Sequence, residues 1–252
     1  MEAEIVLLRA AMGDPRVQTF VLLSDDSIPL YPAVLTYMQL SLESKSRMNS
    51  CKDPSDPNDG NIRMAYRWSP AMGDLGFSQD YWRKNSQWFT LKRNHVNVIL
   101  NDTIIYKAFV KECYVSENRF CVSDEHYIPS LLAYKGLEEE CECKGMSTQT
   151  VWSKGQSHPK IFRKNDATED VIRKTFREEG STEKKNCGEV QSEFFDEWIK
   201  GRISVPRGSA SAQSILDRPG NALMSPKCPL FARKISFDNV TVWHDALTKF
   251  IW

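Results

Sequence analysis

Two groups of side chains in this sequence are placed to act on a polar substrate. One is a set of acids at the start of an apolar helix, and the other is a pair of cations at the end of an apolar strand. In FCVSDEHYIPSLL, residues 120–132, Asp124, Glu125 and His126 precede a segment in which Tyr127, Ile128, Leu131 and Leu132 recur at helical spacing. The dipole of a helix start favours an ionised carboxylate, the form that a general base needs at neutral pH. The plainer reading of the same residues is a helix cap, with Ser123 as the N-cap and two acids in the first turn. His126 reads either as a second acid/base group or as an exposed helix histidine. Pro129 predicts that the helix is short or kinked.

Arg233 and Lys234 follow the apolar run Pro229 to Ala232. Paired cations at a strand end can neutralise a diphosphate without a metal, and otherwise read as a solvated pair. The sequence has no Gly-rich phosphate loop, no His/Cys metal-ligand spacing and no Asp-x-Asp. A phosphorylated leaving group would therefore fall to cations. Trp82, Trp88 and Trp152, with Tyr66, Trp68 and Tyr81, enrich the centre of the chain in aromatics, which beside polar groups suit sugar rings. Core packing accounts for most of them. Trp152 stands apart because it lies between a polar strand and the turn-prone SKGQSHP.

The elements that must position these residues read as α/β. EAEIVLLRAAMGD carries apolar residues at 5, 8 and 12 and predicts a helix, followed by a strand in TFVLLSDD that ends near Asp25. A helix follows over about 32–42, and then ESKSRMNSCKDPSDPNDGN, residues 43–61, predicts an exposed, flexible loop. YWRKNSQWFTLKR predicts a strand over 81–93, with helices over 94–100 and 103–110. TQTVWS and CPLFARKIS predict strands, and residues 168–179 predict a charged helix. The Ser-, Gly- and Pro-rich residues 201–227 predict a mobile insertion. There is no internal repeat.

At 252 residues the chain can bury a full core, and 33 basic against 33 acidic residues give no reason to expect nucleic acid as a partner. Seven cysteines without a C-x-x-C pair fit a secretory-pathway domain with two or three disulfides and an odd thiol; a cytosolic chain is the alternative. Asn101-Asp-Thr and Asn239-Val-Thr match the glycosylation sequon. No run of about 18 apolar residues occurs, and the acidic start lacks the charge of a signal peptide. A helix running at once into an apolar strand reads as the middle of a domain.

FVLLSDDSIPLY, YWRKNSQWFTLKRNHV, CVSDEHYIPSLL, TVWSKGQSHPKIF and LFARKIS occur in an order that resembles the core-2/I-branching β-1,6-N-acetylglucosaminyltransferases (glycosyltransferase family 14), in particular their plant-type branch. The motifs cover most of residues 1–162 and then 228–236.

The resemblance implies a GT-A-like α/β fold in one glycosyltransferase domain over 1–252, lacking its N-terminal nucleotide-binding strands. It implies inverting, metal-independent transfer of a sugar, typically N-acetylglucosamine, from a UDP-sugar to an acceptor hydroxyl on a glycan or glycoprotein, with no cofactor. Glu125 matches the catalytic base. Lys234 matches the residue that, with an arginine, offsets diphosphate charge; Arg218, Arg207 and Arg233 are candidates for that arginine. Trp152 matches an acceptor-contacting tryptophan, Arg67 is a candidate for the same role, and Asp25 is placed near acceptor or donor. The family's membrane anchor and stem would precede the segment that begins here, which implies an N-terminally truncated relative of a type II Golgi membrane enzyme with a lumenal domain. The alternative is an inactive, sugar-binding remnant. Glycoside hydrolysis by Asp26 and Glu125 is disfavoured, because no acid/base pair stands out.

Overall fold

The computed structural model describes residues 1–52, 64–117, 119–156, 158–172, 228–236 and 240–250. The predicted insertion at 201–227, with Arg207 and Arg218, lies outside the described residues, as do most of the predicted helix at 168–179, the far part of the 43–61 loop and the Asn239 sequon. The chain folds as mixed α/β with small sheets, in two compact units. One unit is Met1–Leu22 with Lys45–Gly145, and the other is Leu23–Ser44 with Met146–Trp252.

The first unit opens with α1, Glu2–Met12, whose acids Glu2 and Glu4 in the first turn and Arg9 in the last complement the helix dipole. β1, Thr19–Val21, pairs antiparallel with β3, Thr90–Lys92, placing Phe20 opposite Leu91. Both of these side chains enter the main core. α4, Arg93–Leu100, and α5, Ile104–Glu112, pack against α6, Ser123–Tyr134, and α3, Pro70–Asp74, packs against α5. Residues 126–133 of α6 are all buried, so this helix is central to its unit. The hairpin β4–β5, Val115–Ser116 with Arg119–Phe120, joins α5 to α6.

Pro129 neither shortens nor ends α6. Lacking an N–H, it leaves the Glu125 carbonyl without its usual helical donor, and the Asn85 N–H donates to that carbonyl instead, at 2.9 Å. The same exchange explains why most of residues 81–93 do not form the predicted strand. Only Thr90–Lys92 is strand, because the Arg83 and Asn85 N–H groups are used by the Ser130 hydroxyl and the Glu125 carbonyl of α6 rather than by a neighbouring strand. The N-cap is Val122 rather than Ser123, and no side chain caps it.

The start of the segment expected to be an exposed loop is built into the core. Ser46, Arg47, Met48 and Ser50 are buried, and the Arg47 and Thr90 backbones exchange hydrogen bonds beside β3. The Ser46 hydroxyl binds His95 Nδ1 at 2.7 Å and accepts from the Lys92 N–H at 2.9 Å. Polarity had suggested solvent, but pairing satisfies these groups internally. Cys51–Cys143 ties this segment to the far end of the unit, and Cys113–Cys121 closes the β4–β5 hairpin. Cys228 is also disulfide-bonded, while Cys141 is a free, buried thiol that burial pushes up to about 11.

In the second unit β7, Phe231–Arg233, lies between β2, Ile28–Pro29, and β6, Thr148–Thr150. β2 runs antiparallel to it and β6 parallel. α2, Ala33–Leu42, and α7, Val240–Phe250, contribute Leu35, Met38, Trp243 and Leu247 to the buried residues, and Trp243 meets Phe162 edge-on at 6.1 Å.

Candidate functional site

Glu125 occupies the first turn of α6 with its side chain 28% exposed, so solvent and ligands can reach it. Two cations hold it. Arg67 Nη1 donates to Oε2 at 2.8 Å, and Lys84 Nζ lies 3.3 Å from Oε1. Arg67 itself is buried, at the end of the short 3₁₀ turn Ala65–Arg67. Its guanidinium sits 4.8 Å from the Phe120 ring centroid and 5.9 Å from that of Tyr66.

His126 is fully buried, not exposed. Its Nδ1 lies 2.7 Å from the Arg83 carbonyl, which can only accept, and its Nε2 lies 3.3 Å from Arg67 Nη1, which can only donate. The proton therefore belongs on Nδ1 and the lone pair on Nε2. The ring also stacks on Trp82, with centroids 4.3 Å apart. Burial, with a smaller push from the Arg67 charge, lowers the imidazole to about 4 and keeps it neutral near pH 7. One Arg67 nitrogen thus bridges a neutral imidazole and the carboxylate. This arrangement fixes Arg67 rather than supplying a second titrating group.

The segment that carries Lys84 is locked from several directions. Arg83 is buried, and its guanidinium donates to the carbonyls of Ser50, Asp80 and Trp82 and pairs with Glu138 at 2.8 Å. Asn49 grips the adjacent residues through the Asn85 side-chain oxygen and the Lys84 carbonyl. Lys84 and Arg83 went unrecognised in the sequence because nothing in WRKNSQWF indicates which residues 40 or so positions away it will meet. The signal available was the apolar-flanked Arg-Lys pair itself.

In the second unit Arg233 forms a two-pronged pair with Asp26, Nε to Oδ1 at 3.0 Å and Nη2 to Oδ2 at 3.3 Å, and the Ser24 hydroxyl also donates to Asp26. Burial raises the Asp26 carboxyl. The hydrogen bonds from Arg233 and Ser24, with the Arg233 and Lys234 charges, outweigh burial and leave it below the usual carboxylate range. Lys234 is half-buried and enters no ion pair among the described residues. Its backbone carbonyl accepts from the Phe162 N–H at 2.8 Å. The two adjacent cations therefore differ: Arg233 pairs with Asp26, and Lys234 forms no ion pair among the described residues. Asp25 is exposed beside this pair in sequence. Trp152 follows β6 with more than half its surface exposed, its indole N–H donating to Thr150 Oγ1 at 3.1 Å. Among the described residues no group of three or more His, Cys, Asp or Glu is placed to hold a metal ion.

Glu125 and Arg67, predicted separately, are thus brought into direct contact, while Lys234, Arg233, Asp25 and Trp152 belong to the other unit. A carboxylate clamped by cations, with exposed aromatics on a mixed α/β scaffold, is chemistry suited to polyhydroxylated substrates. The family model for the core-2/I-branching enzyme matches residues 1–175, and the chain belongs to that glycosyltransferase family. It is also 31% identical over 201 residues to Glycosyltransferase BC10 of Oryza sativa subsp. japonica, an alignment covering 69% of this chain and 47% of that protein. The chain thus spans about half the length of the curated relative that it matches. No solved structure matches it. Among the described residues no helix is long and apolar enough to cross a membrane.

Proposed function

We propose that Glu125 is the general base of an inverting, metal-independent transfer of a sugar, N-acetylglucosamine foremost, from a UDP-sugar to a hydroxyl of a glycan or glycoprotein acceptor. The observation that carries this reading is a half-buried carboxylate at the start of a central helix, fixed by Arg67 and Lys84 yet open to solvent. In a single displacement the acceptor hydroxyl attacks the anomeric carbon as Glu125 takes its proton. The bond to the diphosphate breaks, the electron pair leaves on UDP, and the configuration inverts.

Among the described residues Lys234 is suited to the negative charge that develops on the departing diphosphate, because Arg233 already pairs with Asp26. We assign the acceptor side to Arg67 and Trp152, and read the small sheets as parts of a GT-A-type fold. The disulfides favour an oxidising compartment, which fits a lumenal Golgi enzyme.

The test is UDP release from UDP-N-acetylglucosamine and other UDP-sugars against a glycan panel, with product anomers read by NMR and with EDTA present throughout. Inverted product in EDTA is the expected result. A strict divalent-metal requirement would count against the role given to Lys234, and retained configuration would remove the single displacement.

A further inference from the structure

Tyr66 and Phe120 are large rings exposed to solvent, at 74% and 51%. Neither exposure is explained by packing against the main core, to which neither residue belongs. Both rings lie against the same guanidinium, that of Arg67, whose Nη1 holds Glu125 Oε2. One guanidinium thus lies against both the Phe120 ring and the carboxylate.

The placement of Phe120 is reinforced. A hairpin of two-residue strands is marginal alone, yet β4–β5 is closed by Cys113–Cys121, and Cys121 is the residue directly after Phe120 and four before Glu125. The disulfide therefore fixes an exposed ring near the start of the helix that carries the base. Tyr66 is held near the same site because its neighbour Arg67 is anchored on Glu125 and His126.

We propose that Tyr66 and Phe120 form a stacking subsite that receives the acceptor pyranose by its C–H face and turns one of its hydroxyls toward Glu125. This rests on the reading of Glu125 as the acceptor-activating base. The occupant follows from the chemistry present. Two rings supply apolar area for a flat C–H face, while the carboxylate and the Arg67 and Lys84 cations beside them offer acceptors and donors for ring hydroxyls. A purely apolar ligand would leave those charged groups without partners on its side.

The test uses the full chain and the variants Phe120→Ala, Tyr66→Ala and the double Ala variant, with Tyr66→Phe as the conservative control. Saturation-transfer NMR with methyl glycosides of galactose, N-acetylgalactosamine and glucose, without donor, reads binding directly. With donor present, acceptor KM and kcat are measured separately. Each Ala change is expected to weaken glycoside binding and raise acceptor KM about 3- to 10-fold, the double variant more, with kcat at saturating acceptor changed less than twofold. Tyr66→Phe keeps the ring and is expected to bind like the parent. Full glycoside binding by the double Ala variant overturns the subsite. Should the parent chain bind glycosides through these rings but release no UDP from any donor, the subsite stands and the transfer reaction fails, so the two readings separate.

Discussion

The two clusters of charge in this protein use arginine in opposite ways. Around Glu125, Arg67 and Lys84 converge on a carboxylate that keeps about a quarter of its surface open, and a neutral, buried His126 fixes Arg67 from behind. At the end of β7 the carboxylate, Asp26, serves the cation instead. It pairs with Arg233, while Lys234 forms no ion pair among the described residues. In the first arrangement two cations converge on one carboxylate, and in the second one carboxylate holds one of two adjacent cations. Adjacent residues of the same type need not share a role, because the partner decides which of them remains available.

The largest expected effect tests the Glu125 cluster alone. Glu125→Gln keeps size and hydrogen-bonding capacity but removes the base, and should lower transfer about 10²- to 10⁴-fold with donor binding retained. Turnover like that of the parent protein would take Glu125 out of the mechanism.

The neutral histidine predicts a pH signature that the other cluster lacks. Its folded value of about 4 lies below the ordinary 6.5, so the unfolded chain binds the proton first on acidification. Stability from this group is complete above about pH 6.5 and is lost as pH falls toward 4, a change on the order of 3 kcal/mol. His126→Gln should flatten that slope in urea denaturation measured from pH 7 to 4.5. An unchanged slope would assign the acid sensitivity elsewhere.

Lys234→Ala should reduce turnover about 10²-fold while leaving thermal unfolding where it was, since among the described residues Lys234 pairs with no carboxylate. Comparable losses from Arg233→Ala and Lys234→Ala, with no change in stability for either, would collapse the distinction between the two cations.

The smallest effect belongs to the Asp26–Arg233 pair. Asp26 is depressed in the folded state, so its contribution is present above about pH 4 and fades as pH falls below that. The pair is partly exposed, and is worth on the order of 1 kcal/mol. Asp26→Asn should remove that shallow acid dependence; a larger loss at neutral pH would mean that the pair supports β7 more than it selects a cation.

Much of the scaffold was legible. α1, α2, α4, α5 and α6 fall within a residue or two of their predicted spans, because apolar spacing, joined in α1 and α6 by acidic first turns, acts locally. What failed depended on distant partners. Residues 82–88 look like a strand by composition, but the Arg83 and Asn85 N–H groups are taken by α6. Ser46 and Arg47 look solvent-bound, but a neighbouring strand and a histidine satisfy them. Pro129 looks like a helix breaker, but Asn85 supplies the missing donor.

The sequence by itself determined the family, the helices and the residues worth suspecting, since motif order, periodicity and residue type are all properties of the chain read in one dimension. Only the tertiary structure decided that Arg67 and Lys84 meet on Glu125, that His126 is neutral and buried, and that Arg233 rather than Lys234 is spent on Asp26. The reason is physical: an ion pair or a buried tautomer is set by groups brought within about 3 Å, and separations of 41, 58 and 207 residues leave no local trace of that approach.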